Sequence, residues 1–586
     1  MSNTMKVSDY IIDFLSSKGI EHAFVVQGGA AAHLISSASH HEKFNFVAMG
    51  HEQGGSLAVH GYANDGERVG CAFATTGPGV LNLLTGAAAL HYDSLPGIFI
   101  GGQVASPRFK AKEFEVRMHG FQEAPATDVF APVTKYTASV TRKEDVRFEL
   151  EKAFHIATTG RKGPVFLEVC DDVQRESIEP EELKGYVADD APLAAASDQV
   201  SQVFDLVKQA KRPLFVFGYG IKTADAKAQA RELMLATQIP VSPTWGGKDI
   251  VESDHPLNAG VFGMHATRHG NFAVQNADLL ICIGTRLSQH QTGTPPSLFA
   301  PNARKLMVDI DMKEMQKLDK IGIEAELLIQ ADAKDFISQM QAAASQVSVN
   351  CSNWLAQINS WKEQYPVTET IPEHAEFSNP HKALKQLSAV TPDDAIVLSE
   401  VGATLSWTYQ AFDVKPTQRL ITSYNIHTMG YAVPGAVGAA FANPGKTVVS
   451  INGDGAILMN IQELGVIAKH QLPVKVVIFD NKGYGVIQQT QEDYFNAEFD
   501  ASSPAGGLME PDFEMISKGF GLAVKRASSK EELASAYDWL FSDDKPAVCI
   551  VNIDPEARIR PCMAAGKPID DALPFLPRDE YEKNCL

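Results

Sequence analysis

The hydrophobic positions of this chain fall into short apolar, β-branched runs, each followed by a glycine-rich turn and a helical stretch. The segments HAFVVQGGAAAHLI, VGCAFATTGPGVLNLLTGAAAL and KTVVSINGDGAILMNIQELGVIA all follow this order. Strands that are buried on both faces of a sheet give continuous apolar runs, and their alternation with helices indicates parallel sheets. The pattern therefore predicts an α/β protein.

Two polar, proline-bearing segments interrupt this alternation and are predicted to be linkers that carry some helix. They cover residues 176–202 and 342–380. Because a chain of 586 residues exceeds what one hydrophobic core supports, we expect three α/β domains and a tail that packs across a domain or subunit face. The predicted bounds are residues 1–178, 200–342 and 380–553 for the domains and 554–586 for the tail.

The composition narrows the classes of partner and location. With 51 Lys and Arg against 71 Asp and Glu, the formal net charge is −20, which argues against nucleic acid as a partner. No apolar run is long enough for a membrane span, and the N-terminus lacks the pattern of a signal peptide, so we expect a cytoplasmic location. The seven cysteines lack C-x-x-C spacing, which indicates reduced core residues rather than a zinc site.

The C-terminal third contains a segment that is predicted to form a strand–helix–strand unit. Apolar runs at residues 447–451 and 475–479 indicate two strands, and residues 460–470 indicate the helix between them. Such a unit places its two strands parallel to each other. The carboxyl ends of both strands then meet at one edge of the sheet, where open parallel sheets bind ligands.

Polar and glycine residues follow these two strands. Gly453, Asp454 and Gly455 come after the first strand, and Asn481 comes after the second. Two oxygen ligands at one edge suit Mg²⁺, which is commonly held by a few protein oxygens, phosphate oxygens and water. Glycines allow close approach to a ligand, and amides at a helix start favour an anion. We expect a diphosphate bridged by a divalent cation, although Gly-Asp-Gly alone is more often an ordinary turn.

These residues resemble the thiamine-diphosphate motif, in which Gly-Asp-Gly is followed after about two dozen residues by Asn; here 25 residues separate Gly455 from Asn481. The resemblance implies thiamine diphosphate and a Mg²⁺ ion held by Asp454, Asn481 and the carbonyl of Gly483. Such an enzyme also needs a carboxyl group to activate the cofactor, with a pKa that burial raises. Glu52 in VAMGHEQGGSLAVHGYA is the candidate, the alternative being an acid that stabilises a helix N-terminus.

Most of the chain is similar to the acetolactate synthase branch of the thiamine enzymes. Segments that resemble this branch occur in its order, among them TTGPGVLNLLTGAAAL, FQEAPATDVFAPVTKY, GRKGPVFLEVCDDVQ, GVFGMHATRHGNFAVQ and HTMGYAVPGAVGAA. The resemblance implies three doubly wound parallel-sheet domains, which are pyrimidine-binding, central Rossmann-like and diphosphate-binding in chain order. It also implies a homodimer or homotetramer, because Glu52 of one subunit faces Asp454 of another in this family.

The resemblance also assigns roles to single residues. Glu52 would activate the cofactor, Met429 would impose its bent shape, and the backbone of His427 would accept from its amino group. The residues expected to line the reacting carbon or to lie beside it are Gly77, His119, Phe121 and Gln122. The other expected cofactor-binding residues are Gly28, Gly29, Val401, Gly402, Gly453, Gly455, Ala456 and Tyr484.

The implied activity is decarboxylation of a 2-oxo acid, expected to be pyruvate, and ligation of the remaining two-carbon unit to a second carbonyl compound. A second pyruvate would give 2-acetolactate. The identity of the acceptor stays open, because this chain differs from the family at positions that bear on it. Thr490 stands where the family has a Trp that selects the acceptor, and His427 stands where the family has a Gly. Ala131 and residues 402–405 also differ from the residues of the family. A ketosugar or aldehyde acceptor, a carbon–carbon lyase and a scaffold without turnover are the alternatives, the last disfavoured by the intact Glu52.

FAD as a second cofactor stays open. Residues 264–267 and 284–286 resemble the flavin-contacting segments of the central domain, but a Rossmann-like domain can also keep such turns for packing alone. The histidines His51, His91 and His265 are interpreted as structural hydrogen-bonding residues.

Overall fold

Three parallel sheets organise the protein. The computed structural model describes residues 4–64, 68–189, 193, 197–344, 350–374 and 376–586. In chain order, the sheets have six, five and six strands. Buried apolar side chains lie on both faces of each sheet, packed beneath helices. The predicted α/β fold of three doubly wound parallel-sheet domains is therefore confirmed.

In the N-terminal sheet, the first strand along the chain lies next to one edge, and the chain crosses over to add strands on both sides of it. Its strands, in spatial order, are Asn45–Ala48, His22–Val25, Gly70–Ala74, Gly97–Gln103, Pro164–Cys170 and Tyr136–Val140. Its helices are Val7–Ser17, Ala32–His40, Glu52–Ala63, Pro78–Asn82, Leu84–Asp93, Ala126–Phe130, Val146–Thr158 and Asp171–Gln174. A two-stranded antiparallel pair, Met5–Lys6 with Ser177–Ile178, joins the two ends of this unit.

The central sheet has the same alternation of strands and helices. Its strands, in spatial order, are Val241–Pro243, Pro213–Phe217, Leu279–Ile283, Arg304–Asp309 and Leu327–Gln330. The helices of this region are Ser197–Gln209, Gly220–Thr223, Lys227–Thr237, Arg268–Asn276, Gln289–Thr292, Met312–Lys320, Ala333–Ala344 and Ser352–Gln364. The last of these helices lies in the segment predicted as a linker, and its Trp354 and Trp361 pack into a core of the central sheet.

The C-terminal sheet carries the strand–helix–strand unit that the sequence predicts. Its strands, in spatial order, are Arg419–Ile421, Ile396–Ser399, Val448–Gly453, Val474–Asp480, Ala547–Asn552 and Ala523–Ala527. Its helices are Pro380–Val390, Ala403–Ala411, Ala432–Ala442, Asp454–Ile457, Leu464–His470, Gly485–Tyr494, Phe513–Gly519 and Lys530–Leu540. The helix predicted over residues 460–470 is shorter than expected, because residues 461–463 form a 3₁₀ turn.

Successive side chains of a strand lie on opposite faces of the sheet and therefore pack into two different cores. Phe24 belongs to one buried cluster and Val25 to the other, and the same holds for Ile478 and Phe479 in the C-terminal sheet. The cluster that contains both Phe24 and Ile478 is continuous between the N-terminal and C-terminal domains. One face of each of these sheets therefore contributes to a shared core.

Two glycine-containing helices bring these domains together. The helices Glu52–Ala63 and Ala432–Ala442 pack with their backbones in close contact. A Cβ atom added at Gly61 would lie 2.0 Å from the carbonyl oxygen of Gly435, and one at Gly438 would lie 1.9 Å from that of Ala58. Only glycine fits at such a distance, so these positions fix how the two sheets approach each other.

The C-terminal tail packs on the central domain. Its main-chain N–H at Met563 donates to the carbonyl of Met264 over 2.7 Å, and Asn271 Nδ2 donates to the carbonyl of Ile569 over 2.7 Å. Trp361 Nε1 donates to Asn584 Oδ1 over 2.6 Å at the end of the chain. The tail contains a strand pair, Cys562–Met563 with Ala572–Leu573, and the helix Arg578–Lys583. No helix among the described residues has both the length and the apolar character of a membrane span.

The Gly438→Ala variant tests the close helix contact. The added methyl group would clash with the Ala58 carbonyl, and we expect the free energy of unfolding to fall by about 3 kcal/mol. Thermal unfolding followed by intrinsic fluorescence measures the change. Gly519→Ala is the matched control, because a Cβ at Gly519 meets no atom within 4 Å. Equal unfolding temperatures of Gly438→Ala and the wild type would contradict the contact.

Candidate active site

Asp454 and Asn481 lie together at the carboxyl edge of the C-terminal sheet. Gly453 pairs with Phe479 in the parallel register, so the residues that follow both strands leave the sheet side by side. The Asp454 carboxylate is buried and accepts from the main-chain N–H of Gly455 over 2.7 Å and of Gly483 over 3.0 Å. Burial, followed by the nearby Asp480 carboxylate, raises the pKa of Asp454 to about 7.

The donor set at this edge fits a hard divalent cation. One end of the Asn481 side-chain amide is buried and has no hydrogen-bond partner among the described residues. Because the two ends of an amide are assigned from hydrogen bonds alone, that end can equally be the oxygen, which a cation would bind. Within the described residues, no group of three His, Cys, Asp or Glu side chains forms a metal site of another kind. Asp454, Asn481 and a main-chain carbonyl therefore suit Mg²⁺ better than zinc.

A cavity of about 380 Å³ opens beside this pair. We call it the C-terminal cavity. Glycines shape its wall: Gly402 has φ +76°, and a Cβ there would meet only Val486, at 3.8 Å, whereas a Cβ at Gly455 would lie 2.0 Å from the Tyr484 ring. All the cofactor-binding residues predicted in the C-terminal domain line it, namely Val401, Gly402, His427, Met429, Gly453, Asp454, Gly455, Ala456, Asn481, Gly483 and Tyr484.

The residues predicted in the N-terminal domain form a second cluster around the turn after strand Gly70–Ala74. Glu52 begins its helix, is half-buried, and accepts from Asn82 Nδ2 over 2.9 Å. A Cβ at Gly79 would lie 3.3 Å from Glu52 Oε1, and one at Gly28 would lie 2.5 Å from Thr75 Cβ. Gly29 follows at the exposed start of a 3₁₀ turn. The cluster lies at the carboxyl edge of the N-terminal sheet, as a ligand site in a parallel sheet requires.

The loop predicted to cover the reacting carbon lies beside this second cluster. Gly77 has φ +72°, and a Cβ there would lie 2.9 Å from the carbonyl oxygen of Gln122. Gln122 itself has φ +62°, Phe121 is 81% exposed, and His119 is exposed. The buried carboxylate of Glu123 accepts from three main-chain N–H groups, those of Ala111, His119 and Gly120. An apolar ring as exposed as that of Phe121 is free to contact another molecule.

Within one chain, the two clusters remain separate. Among the described residues that line the C-terminal cavity, none belongs to the N-terminal domain. The start of the Glu52 helix is held instead by Glu463, whose buried carboxylate accepts from the main-chain N–H of Gly50 over 3.0 Å and of His51 over 3.1 Å. Burial raises the pKa of Glu463. No local sequence pattern marks Glu463, because its partners lie more than 400 positions away.

Two further buried acids support the C-terminal cavity and were also missed. Glu400 accepts from the main-chain N–H of Val401 over 3.1 Å and of Ala432 over 3.0 Å, and burial raises its pKa to about 7. Asp93 accepts from the main-chain N–H of Tyr424 over 3.0 Å and of Asn425 over 3.1 Å. Glu400 stands two positions before Gly402, whereas no local sequence pattern marks Asp93.

Asp93 connects the N-terminal domain to the loop that carries His427 and Met429. Besides the two main-chain N–H groups, it accepts from Asn425 Nδ2 over 2.6 Å and pairs with His60 Nε2 over 2.9 Å. The other nitrogen of His60 is 2.9 Å from the hydroxyl of Tyr431, on the far side of the same loop. All of these groups are at least partly buried, so the network holds the loop in one conformation.

The segments predicted to contact a flavin divide between two places. Gly284, Thr285 and Arg286 line a second cavity of about 180 Å³, which we call the central cavity. Residues from all three domains line this cavity, including Arg161 and Asn425. His265 lines the C-terminal cavity, whereas Thr267 caps the helix Arg268–Asn276 and Met264 contacts the tail. Thr490 is exposed and does not line either cavity in the described chain.

Comparison with known protein families agrees with this three-domain arrangement. The N-terminal TPP binding domain of thiamine pyrophosphate enzymes matches residues 5–129, the central domain matches 200–340, and the C-terminal TPP binding domain matches 400–551. The chain belongs to the thiamine pyrophosphate enzyme family. The two TPP binding domains contain the two clusters described above, one in each.

Full-length relatives place the chain within one branch of this family. It is 32% identical to the acetolactate synthase isozyme 2 large subunit of Escherichia coli (strain K12), over 96% of this chain and 98% of the relative. It is 33% identical to the acetolactate synthase large subunit of Parasynechococcus marenigrum (strain WH8102), over 95% of this chain and 89% of the relative. The chain is thus an acetolactate synthase-like thiamine enzyme, as the sequence motifs predicted.

The Asp93→Asn variant tests whether the buried network positions the cofactor loop. The asparagine amide would place an N–H donor where the Asp93 carboxylate now accepts hydrogen bonds from other N–H donors. We expect the free energy of unfolding to fall by about 1–3 kcal/mol. Thermal unfolding and titration with thiamine diphosphate should show a lower unfolding temperature and a weaker cofactor affinity. Asp579→Asn on the exposed surface is the control. A variant that binds the cofactor as tightly as the wild type would contradict this role of Asp93.

Proposed function

We propose that this protein decarboxylates a 2-oxo acid, with pyruvate as the donor, and joins the remaining two-carbon unit to a second carbonyl compound. The single observation that carries this proposal is the buried Asp454–Asn481 edge inside a glycine-walled cavity, in a chain of the acetolactate synthase-like branch. Mg²⁺ and thiamine diphosphate are the cofactors that this edge fits. The reaction makes the protein a transferase of a two-carbon aldehyde or ketone residue.

In this proposal, Asp454, Asn481 and the main-chain carbonyl of Gly483 hold Mg²⁺. A cation would remove the energetic cost of an ionised Asp454 in a buried position, where its pKa is raised to about 7. The helix Asp454–Ile457 begins at the same cavity, which Gly455 and Ala456 also line. The main-chain N–H of Gly455 donates to Asp454, so a helix-start N–H other than that one would face the negative charge of a diphosphate.

Thiamine diphosphate, when bound, supplies the carbon that joins the 2-oxo acid and takes up the electron pair left when CO₂ departs. The protein then has to orient both substrates and to move one proton at the pyrimidine ring. Met429, half-buried in the cavity wall, would shape the bound cofactor, and the main-chain carbonyl of His427 would accept from its amino group. Glu52 would hold the proton that is exchanged with the pyrimidine ring.

Glu52 can take this role only if a second copy of the chain supplies it. In one chain, Glu52 lies beside Asn82 and Glu463, whereas Asp454 lies in the C-terminal cavity. A homodimer, or a homotetramer built from such dimers, brings the N-terminal cluster of one copy over the cavity of the other. The exposed Phe121 and Gln122 would become buried in that arrangement.

Mixing two inactive variants tests this shared site. Glu52→Gln should keep cofactor binding but lose most turnover, and Asp454→Ala should lose Mg²⁺-dependent cofactor binding. The two variants are unfolded, mixed in equal amounts and refolded together, or they are co-expressed. About half of the dimers then contain one copy of each variant, and each such dimer holds one intact site of two. Activity should therefore return to about a quarter of the wild-type value. CO₂ release from pyruvate is the measurement. If both residues acted within one chain, the mixture would stay inactive.

We also infer that the central cavity is a flavin site. It lies at the carboxyl ends of the central strands Pro213–Phe217 and Leu279–Ile283, where the turns at Gly218 and Gly284 approach each other within van der Waals contact. Arg286 donates to Asn425 Oδ1 over 2.6 Å at its rim, and Arg161 lines the other side. The cationic side chain of Arg286 suits the diphosphate of FAD, whereas Arg161 already pairs with Asp311 and Glu314.

Absorbance of the purified protein tests the flavin site. We expect the visible bands of an oxidised flavin, released on denaturation, with a flavin content that falls at least severalfold in Arg286→Ala. Arg304→Ala, an exposed arginine of the same domain, is the control and should keep the flavin. A colourless protein that fails to take up added FAD would contradict this assignment.

A further inference from the structure

Three histidine rings and one tryptophan ring form a continuous wall of the C-terminal cavity. Trp245 and His290 are 4.3 Å apart between ring centroids, His290 and His265 are 5.3 Å apart, and His290 and His427 are 5.8 Å apart. All four residues line the cavity that contains Asp454, and Trp245 and His290 also line the central cavity on their other side. We call these four residues the imidazole wall. Trp245, His265 and His290 come from the central domain, so the wall joins two domains at one cavity.

The imidazole wall is uncharged near neutral pH. Burial lowers the pKa of all three histidines and brings that of His265 to about 4. His427 further lowers the pKa of His265 and of His290, His265 lowers that of His290, and Arg560 lowers that of His265. Asp93, the charged group that acts in the opposite direction on His427, only partly offsets the burial. A neutral imidazole carries one N–H donor and one acceptor nitrogen. The wall therefore offers hydrogen bonds to a ligand without offering a positive charge.

Each of the three imidazole rings has a protein partner. His265 Nδ1 is 3.3 Å from the hydroxyl of Ser406, the His290 ring bonds to its own backbone, and the His427 ring bonds to the backbone of Tyr424. Because an imidazole has two ring nitrogens, one partner for each ring leaves a second nitrogen for a molecule in the cavity.

The backbone at His427 gives an independent indication of function. Its φ is +50°, in the left-handed region that a non-glycine residue occupies at a cost of about 1 kcal/mol. A glycine at this position would avoid that cost. The side chain that the protein keeps here lines the cavity and lies 5.8 Å from the His290 ring. Strain of this kind is typical of positions where a side chain is needed at a site.

The charges in the cavity indicate which acceptor it suits. Among the described residues that line it, Asp454 is the only charged one, and no Lys or Arg is present. A second 2-oxo acid as acceptor would keep its carboxylate through the reaction and would need a cation here. The carboxylate of the donor has no such need, because it leaves as CO₂. An uncharged acceptor with hydroxyl groups matches the neutral N–H donors and the Ser406 hydroxyl.

We propose that the imidazole wall binds the acceptor and selects an uncharged, hydroxylated aldehyde or ketone over a second 2-oxo acid. This inference rests on the function proposed above. The bond between the carboxylate carbon and the keto carbon of the donor breaks and releases CO₂. A new bond forms between that keto carbon and the carbonyl carbon of the acceptor, and the acceptor oxygen takes up one proton to become a hydroxyl group. No oxidant or reductant is required.

A competition experiment tests the selectivity. The wild-type protein with Mg²⁺ and thiamine diphosphate receives pyruvate together with equal amounts of glyceraldehyde and 2-oxobutanoate, and CO₂ and each ligation product are measured. We expect the glyceraldehyde product to exceed the 2-oxobutanoate product and acetolactate by about tenfold, the preference that one or two hydrogen bonds give. CO₂ release with products of 2-oxo acids alone would overturn this inference but not the proposed function. The absence of CO₂ release would overturn both.

Substitutions of His290 test whether its ring binds the acceptor. In His290→Ala, the KM for glyceraldehyde should rise about tenfold through loss of a hydrogen bond, and His290→Gln, which keeps an N–H donor, should restore part of it. Gln289→Ala changes the exposed neighbour in the same helical turn and is the control. An unchanged KM in His290→Ala would overturn the role of His290.

The His427→Gly variant tests the effect of this side chain on acceptor binding separately from its effect on folding. Because glycine adopts φ +50° without strain, the variant should unfold at the same temperature as the wild type or higher, while its KM for glyceraldehyde rises severalfold. Titration with glyceraldehyde in the absence of pyruvate measures binding without turnover. The fluorescence of Trp245 should change on binding, and this change should be lost in the Trp245→Phe variant. An unchanged KM together with a silent titration of the wild type would overturn the proposal.

Discussion

The buried carboxylate of Asp454 is the constraint on which the rest of the site depends. It lies at the carboxyl edge of a parallel sheet, 7% exposed, with Asp480 nearby, and it accepts from the main-chain N–H groups of Gly455 and Gly483. Its pKa, raised to about 7, shows that ionisation is costly there without a cation. The cavity, the glycines at 402 and 455, and the unpartnered Asn481 amide end all surround this one charge. A divalent cation with a diphosphate satisfies them together.

The packing of the two TPP binding domains fixes the position of Glu52 relative to the C-terminal domain of the same chain. Close contacts at Gly61 and Gly438 fix the helix of Glu52 against the C-terminal domain, and Glu463 binds the start of that helix. Glu52 does not line the cavity of its own C-terminal domain in the described chain. The proposed chemistry therefore requires a second copy of the chain, which would also cover the exposed loop at Phe121.

The sequence was sufficient for features that are encoded locally. Apolar runs followed by glycine turns predicted the parallel sheets, and the spacing of Asp454 and Asn481 predicted their meeting at one edge, because adjacent parallel strands end together. Helix bounds inside the motif were less accurate, since a 3₁₀ turn at residues 461–463 shortens the predicted helix. Glu463 and Asp93 were missed, because their contacts join positions more than 300 residues apart and leave no local pattern. Trp245 and His290 were missed because they belong to the central domain and reach the cavity only through the packing of two domains.

The structure of the protein crystallised with Mg²⁺ and thiamine diphosphate is the most direct test of the shared site. The account predicts a Mg²⁺ ion bound to Asp454, Asn481 and the Gly483 carbonyl, with the pyrimidine ring of the same cofactor within hydrogen-bond distance of Glu52 from a second copy. A cofactor bound elsewhere, or one whose pyrimidine ring contacts no copy of Glu52, would contradict it.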